Sequence, residues 1–196
     1  MMVMFNDLSS PSALLATRRS AKARDMIAPG PDSAQLRQIL EAAMRVPDHG
    51  KLAPWRFVVI EADRRAAFAD LLKQAYRAEK PEAGRLELEA MEQFALQAPV
   101  LVAVLSTPAR NSKIPLWEQE LSAGAACMNL LLATHAAGFV GSWLTGWPAY
   151  NGKVLESLGG ASNDRIAGFL FIGSPSRPLE ERPRPPYEAV VSTWKG

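Results

Sequence analysis

Cysteine and histidine are scarce in this sequence. Cys127 is the single cysteine, and the 196 residues include two histidines. One cysteine cannot form an intramolecular disulfide, and one thiol with two imidazoles cannot build a Cys/His zinc cluster. The segment from Met1 to Asp7 lacks the basic region and the continuous apolar core of a secretory signal. We therefore expect a cytoplasmic protein without a metal, although a site made of carboxylates alone stays open.

An excess of charge of either sign is also missing. The chain has 22 lysines and arginines against 20 acidic residues, for a formal net charge of +2. It lacks the basic field that attracts nucleic acids, so we expect no nucleic-acid partner. The segment from Leu121 to Val140 is about as long as a bilayer-spanning helix, but it includes Ser122, Asn129 and Thr134. We expect a buried helix there and no membrane partner.

The sequence motifs of two common enzyme classes are absent. The glycine-rich stretch 138–146 contains neither the GxGxxG of a dinucleotide-binding turn nor the GxSxG of a nucleophile elbow. Cys127 and His135 lie on one predicted helix without a base, a thiol or a metal ligand spaced beside them. Packing roles are therefore expected for both. The chain offers no nucleophile and base pair of its own.

The spacing of apolar residues predicts one domain, residues 1–196, of the α+β class. Strands are predicted at 55–60, 100–105 and 166–172. Four helices are predicted at about 33–46, 63–76, 117–137 and 152–158. Two further helices are predicted to end near residues 16 and 98. The strands lack the regular spacing of a doubly wound sheet, which favours an α+β sandwich. The continuous apolar run at 100–105 indicates a strand that is buried on both faces.

The C-terminal segment has a different composition. Residues 177–186 are rich in proline and are expected to be extended. Tyr187 to Trp194 have strand character. We expect an arm at about 183–196 whose strand reaches the sheet edge of a partner subunit.

Three polar side chains with phosphate-binding chemistry follow the first helix. Arg18, Arg19 and Ser20 come directly after an apolar run. Two guanidinium groups and a hydroxyl suit a phosphate, because arginine offers paired donors at fixed spacing. A solvated basic pair is the simpler alternative for these residues, and Lys22 and Arg24 are interpreted as surface charges.

A second polar cluster lies in the loop between the second helix and the first predicted strand. The loop, residues 45–54, carries Arg45, His49 and Lys51. Functional groups on a loop that two rigid elements hold are typical of binding sites. These residues are therefore candidates for a ligand site.

Together these stretches resemble the flavin-dependent nitroreductase superfamily, and within it the compact YdjA-like branch. The resemblance runs from about Leu14 to Gly173, and its motifs keep their order and a suitable spacing. The motifs are Arg18-Arg19-Ser20, Arg45-Val46-Pro47-Asp48-His49 before Pro54-Trp55-Arg56-Phe57, Trp117-Glu118-Gln119-Glu120, and Gly138-Phe139-Val140-Gly141-Ser142-Trp143.

The resemblance implies an α/β/α sandwich with a central, mainly antiparallel sheet. It also implies an intertwined homodimer with C-terminal strand exchange and with FMN at the subunit interface. The residues it assigns to FMN are Arg18, Arg19 and Ser20 at the phosphate and ribityl end, Arg45 and His49 from one subunit, and Trp143, Leu144 and Thr145 from the second element lining the flavin.

Two departures from the branch affect this assignment. Leu144 stands where closer relatives have a basic residue, so one polar contact is expected to be missing. The tail from Pro183 to Gly196 differs from the branch, which leaves open whether Arg182 or Arg184 supplies a further base to the flavin phosphate.

The activity implied by the resemblance is that of an FMN-dependent NAD(P)H oxidoreductase. NADH or NADPH reduces the flavin and leaves, and a nitroaromatic, a quinone or another small acceptor then takes the electrons in a ping-pong mechanism. His49 or Arg45 could stabilise negative charge on the reduced flavin. Two alternatives stay open: a flavin enzyme that dehydrogenates a small metabolite, and a non-catalytic flavin-binding dimer.

Overall fold

Five strands and seven α-helices make up the described part of the chain, residues 5–196 of this computed structural model. The helices are α1 (Pro11–Thr17), α2 (Ser33–Ala43), α3 (Arg65–Glu79), α4 (Arg85–Leu96), α5 (Leu116–Ala136), α6 (Gly152–Ser157) and α7 (Tyr187–Val190). The strands are β1 (Met26–Ile27), β2 (Trp55–Ile60), β3 (Val100–Ser106), β4 (Val140–Leu144) and β5 (Arg165–Pro175). Of these helices, none is long and apolar enough to cross a membrane.

The five strands form an antiparallel sheet with β5 at its centre. β5 pairs with β3 and with β4, and its C-terminal end pairs with β1. β2 pairs with β3 from Trp55 opposite Ser106 to Ile60 opposite Leu101. Within residues 5–196 no strand pairs with the other edge of β2, which leaves a row of backbone groups available to another strand.

Helices cover both faces of the sheet because β3 is apolar at every position from Val100 to Leu105. Alternate side chains of a strand point to opposite faces. Leu101, Ala103 and Leu105 belong to a core with α3 and α4, and Val102 and Val104 belong to a second core with α2 and α5. The predictions of a doubly buried strand and of an α+β sandwich with an antiparallel sheet are therefore confirmed.

Loop 45–54 is anchored to α5 by hydrogen bonds. The Ser122 hydroxyl donates to the Pro47 carbonyl at 2.7 Å and accepts the Trp55 indole N–H at 3.2 Å. The Asn129 side-chain amide donates to the Ala42 carbonyl at 2.6 Å. The Ser122 bonds hold the loop on the N-terminal half of α5, and the Asn129 bond holds the end of α2 further along the helix.

The strand prediction for Tyr187 to Trp194 is wrong for this single chain. Tyr187–Val190 form a helical turn, in which the Val191 N–H donates to the Tyr187 carbonyl at 2.9 Å, and no regular structure follows. Pro186 favours this turn, because its fixed φ suits the start of a helix. The segment also has no neighbouring strand to pair with in its own chain, so strand exchange stays a prediction.

Sequence analysis did not predict strand β4 (Val140–Leu144). β4 lies in the glycine-rich stretch that follows α5, where Gly141 approaches the helix closely: a Cβ at this position would lie 2.7 Å from Leu131 Cδ2. Glycine weakens the sequence signal of a strand although close packing here requires it.

Candidate functional site

Arg18 stands at the C-terminal end of α1 within a group of arginines. Its backbone N–H donates to the Leu14 carbonyl at 2.8 Å, and its guanidinium donates to the Ser20 hydroxyl at 3.3 Å. Burial lowers the pKa of Arg18, and the positive charges of Arg184 and Arg19 lower it further. Three guanidinium groups therefore lie close enough to repel one another, a setting that an anion would stabilise.

Arg19 is already paired with an acidic residue. Its Nε donates to Glu181 Oε1 at 2.5 Å, and its guanidinium lies over the Phe5 ring at 5.4 Å from the centroid. Its backbone N–H donates to the Asn6 side chain at 2.9 Å. Of the two arginines that the sequence assigned to a phosphate, Arg18 is thus the one without a carboxylate partner in the described chain.

A pocket of about 360 Å³ adjoins this arginine group. Its walls include two predicted site residues, Ser20 and Leu144, together with polar and charged residues that the sequence did not assign: Lys22, Arg24, Gln97 and Ser142. A neighbouring pocket of about 380 Å³ shares Ser20 and Lys22 and includes Arg182. The N-terminal segment and the start of the C-terminal arm therefore border the same depression.

Ser142 lines this pocket from β4. The residue is 7% exposed, but its hydroxyl oxygen is not one of the fully buried side-chain atoms that lack a partner in residues 5–196. The hydroxyl therefore reaches the pocket, where it can donate one hydrogen bond and accept others. The pocket wall thus includes a hydroxyl that fits a polar ligand.

Trp143 points to the opposite face of the sheet from Leu144. Its indole Nε1 donates to the Ala167 carbonyl at 3.0 Å and lies against Gly168, where a Cβ would be only 1.9 Å from this nitrogen. Thr145 follows the end of β4 and is half-buried. The structure therefore separates Trp143 from the pocket that Leu144 and Ser20 share.

His49 and Arg45 lie in a different part of the chain. His49 Nδ1 is 2.7 Å from Glu118 Oε2, at the N-terminal end of α5, and the His49 side chain is 65% exposed. Arg45 is exposed at the end of α2, and within the described chain it forms no ion pair. Both side chains are available to a ligand or a partner.

Loop 45–54 runs along α5 towards the N-terminal end of the helix: the Arg45 carbonyl accepts the Asn129 amide at 3.4 Å, whereas His49 lies beside Glu118. Burial first, and then the positive charge of Arg18, lower the pKa of His135 to about 4, which places Arg18 near the C-terminal end of α5. His49 contacts the other end through Glu118. The helix rises about 26 Å between Glu118 and His135. One chain therefore does not bring His49 to the pocket of Ser20 and Leu144.

Comparison with known proteins decides the family. Residues 15–174 match the sequence profile of the nitroreductase family. The chain is 38% identical over 162 residues to YdjA of Escherichia coli K12, which carries the provisional name NAD(P)H nitroreductase; the match covers 83% of this chain and 86% of YdjA. This chain belongs to the nitroreductase family. The predicted membership is confirmed, and it makes the chain an oxidoreductase of nitroreductase type.

Solved structures confirm the nitroreductase fold. A nitroreductase-like family protein from Bacillus cereus superimposes with a TM-score of 0.79 at 20% identity, over 100% of both chains. NfnB, an FMN and NADPH-dependent nitroreductase from sphigopyxis sp. strain HMH, superimposes with a TM-score of 0.71 at 22% identity, over 95% of this chain and 99% of NfnB. At these identities the likeness shows the fold alone.

Sequence analysis did not assign four residues of this pocket, Lys22, Arg24, Gln97 and Ser142, to a site. Ser142 and Leu144 alternate along β4, so a strand assignment there would have placed both on one face. Gln97 follows α4 and has no motif around it. Lys22 was interpreted as a surface charge, but it lines the pocket, and its Nζ lies 3.6 Å from Glu180, which precedes the arm.

The buried His135 generates a prediction about pH. Its lowered pKa means that between pH 6.5 and about 4 the unfolded chain binds a proton that the folded chain does not, so this residue makes stability fall as the pH drops through that window. From pH 7 to pH 5, urea unfolding should show that wild type loses about 2 kcal/mol more than His135→Gln. Equal losses in wild type and His135→Gln would contradict this account.

Proposed function

We propose that this nitroreductase-family chain is an FMN-dependent NAD(P)H oxidoreductase that passes electrons to a small oxidised acceptor by a ping-pong mechanism. The observation that carries the proposal is the pocket lined by Ser20 and Ser142, where the Arg18 guanidinium donates to the Ser20 hydroxyl at its edge. Identity of 38% to a protein named as an NAD(P)H nitroreductase supports the donor, and the name of NfnB supports both FMN and NADPH.

The residues at this pocket fit FMN. Arg18 and Ser20 would bind the phosphate, because burial first, and then the positive charges of Arg184 and Arg19, lower the pKa of Arg18, and a dianion would favour its charged form. Arg184, which contributes to this lowering, is a better candidate than Arg182 for the further phosphate base. Arg19 would position the arm through Glu181 rather than hold the phosphate directly.

Bound FMN would supply the redox chemistry, taking a hydride from a nicotinamide and giving electrons to the acceptor. The chain's own groups would orient the reactants. Leu144 offers an apolar wall, and Glu118 fixes the orientation of the His49 ring. A ring held in this way contacts a ligand without reorganisation.

The two separated groups of residues would meet in a homodimer. If two copies of α5 pack antiparallel about a twofold axis, the Glu118 end of one helix lies beside the His135 end of the other. His49 and Arg45 of one protomer then approach the Ser20 pocket of its partner, and the dimer holds two equivalent sites.

Two features of the surface support the dimer. Trp117, Leu121 and Met128 are exposed on one side of α5, and a Cβ at Gly124 on the same helix would meet no atom within 4 Å. The chain exposes 12023 Å², whereas a folded monomer of this mass exposes about 9,100 Å². A partner subunit that covers α5 and pairs with the arm of this chain would bury this excess of exposed surface.

The open edge of β2 would receive the arm of the partner. A groove of about 560 Å³ lies between β2 and α2, with Leu36, Leu40 and Met44 on its helix side. Trp194 near the end of the arm is 90% exposed. A strand added to β2 would satisfy the edge and bury apolar residues of the arm in this groove.

Flavin reduction tests the proposed activity directly. The purified protein should release FMN on denaturation, and anaerobic mixing with NADH or NADPH in a stopped-flow instrument should bleach its visible flavin absorbance. A small quinone or nitroaromatic added afterwards should restore the colour. A flavin that neither nucleotide bleaches would contradict the reductase and leave a flavin-binding protein without this activity.

The role of Arg18 can be measured as FMN affinity. Arg18→Ala removes a charged donor to the phosphate and should weaken binding by roughly 1.5–3 kcal/mol, which is about a 10-fold to 100-fold rise in Kd. Arg85→Ala, at the exposed start of α4, is the matched control and should bind FMN like wild type. Unchanged flavin retention by Arg18→Ala after dialysis would remove the phosphate assignment.

The role of the arm can be measured as assembly. A chain shortened to end at Pro183 should shift towards monomer and unfold at lower urea concentration, because β2 and its groove lose their cover. The shortened chain also lacks Arg184, the proposed phosphate base. Full-length Arg184→Ala removes this base alone and should stay dimeric, which separates the loss of the arm from the loss of a phosphate contact. A shortened chain that is still dimeric and equally stable would show that no arm is exchanged.

A further inference from the structure

Arg65 is a buried cation that no acidic residue neutralises within the described chain. It is 6% exposed, and its guanidinium donates to the carbonyls of Ala95, Gln97 and Ala98 at 2.6, 2.6 and 2.9 Å. Burial lowers its pKa to about 10. Its Nη1 has no hydrogen-bond partner in residues 5–196. A buried charge held by carbonyl dipoles alone is costly.

The carbonyls that Arg65 holds belong to a strained turn between α4 and β3. Ala98 has a φ of 61°, in the left-handed region that alanine rarely adopts. Ala95 lies in the last turn of α4, where carbonyls have no partner within the helix. Arg65 therefore satisfies the end of the helix and fixes a backbone conformation that the sequence does not favour. Strain of this kind concentrates at functional sites.

The turn places Gln97 at the pocket of Ser20 and Leu144. Gln97 lines this pocket together with Ser142, and in the described chain its side-chain amide makes no hydrogen bond. An amide offers two N–H donors and a carbonyl acceptor. The pocket wall thus presents an amide and a hydroxyl that both have unused donors and acceptors.

We propose that Gln97 hydrogen-bonds the pyrimidine edge of the flavin and that Arg65 is a positioning residue that holds Gln97 there. The inference rests on the proposed FMN function. The pyrimidine edge presents one N–H between two carbonyls, so the Gln97 amide matches an N–H and a neighbouring carbonyl with two hydrogen bonds. The Ser142 hydroxyl suits the second carbonyl. Arg65 stays outside the pocket and acts through the backbone of Gln97.

The contact is tested by FMN affinity and by the flavin spectrum. Gln97→Leu keeps the approximate size and removes both hydrogen bonds, so the Kd for FMN should rise about tenfold and the visible bands of the bound flavin should shift. Gln93→Leu, one turn earlier on α4 and exposed, is the matched control and should change neither quantity. Equal Kd values and equal spectra for the two variants would overturn the contact.

The positioning role is tested by a double-mutant cycle. Arg65→Lys keeps the charge but cannot reach three carbonyls, so it should raise the Kd for FMN several-fold in the wild-type background. In the Gln97→Leu background it should raise the Kd no further, although it lowers stability to urea equally in both. Additive effects on Kd would overturn the positioning role and leave Arg65 as a helix cap.

Controls separate this inference from the proposed function. If wild type retains no FMN, the proposed function fails. If wild type binds FMN and Gln97→Leu binds it equally, only this inference fails.

A second variant replaces Arg65→Lys in the cycle if that variant does not fold. This variant is Ala98→Gly. Glycine adopts the same φ and loosens the turn. Ala98→Gly should therefore raise the Kd for FMN only in the background that keeps Gln97. An equal rise of this Kd in the Gln97→Leu background would overturn the positioning role.

Discussion

The length and rigidity of α5 determine how a site can be assembled from this chain. The helix holds His49 at its N-terminal end through Glu118, and Arg18 lies near its C-terminal end. A separation of about 26 Å along a packed helix is too large for one flavin ring system to contact both ends. The proposed function therefore depends on a second copy of the same helix, aligned in the opposite direction.

The C-terminal arm and the N-terminal segment depend on each other in a similar way. Arg19 binds Glu181 across a separation of 162 residues, and Arg184 adds its charge to that of Arg18. The first residues of the arm thus contribute Arg184 to the arginine group. The apolar residues near the end of the arm stay exposed. We propose that neighbouring parts of this C-terminal segment bind the phosphate and exchange the arm between protomers.

The sequence was informative where the signal is local. The apolar run of β3 predicted a strand covered on both faces, and its alternate side chains do pack into the two cores on either side of the sheet. The residues of the pocket come from α4, β4 and the N-terminal segment, which only the folded sheet brings together. The tail was misjudged because a strand needs a neighbour, and in a single chain Tyr187–Val190 have none.

The central claim, a site divided between two protomers, is tested most directly by FMN binding to a mixed dimer. Two differently tagged chains, Arg18→Ala and the double variant Arg45→Ala/His49→Ala, are produced together and the mixed dimer is isolated. Each parental homodimer has two defective sites. The divided site gives the mixed dimer one intact site, so it should bind one FMN per dimer with wild-type affinity. A mixed dimer that binds FMN no better than its parents would show that each site lies within one chain.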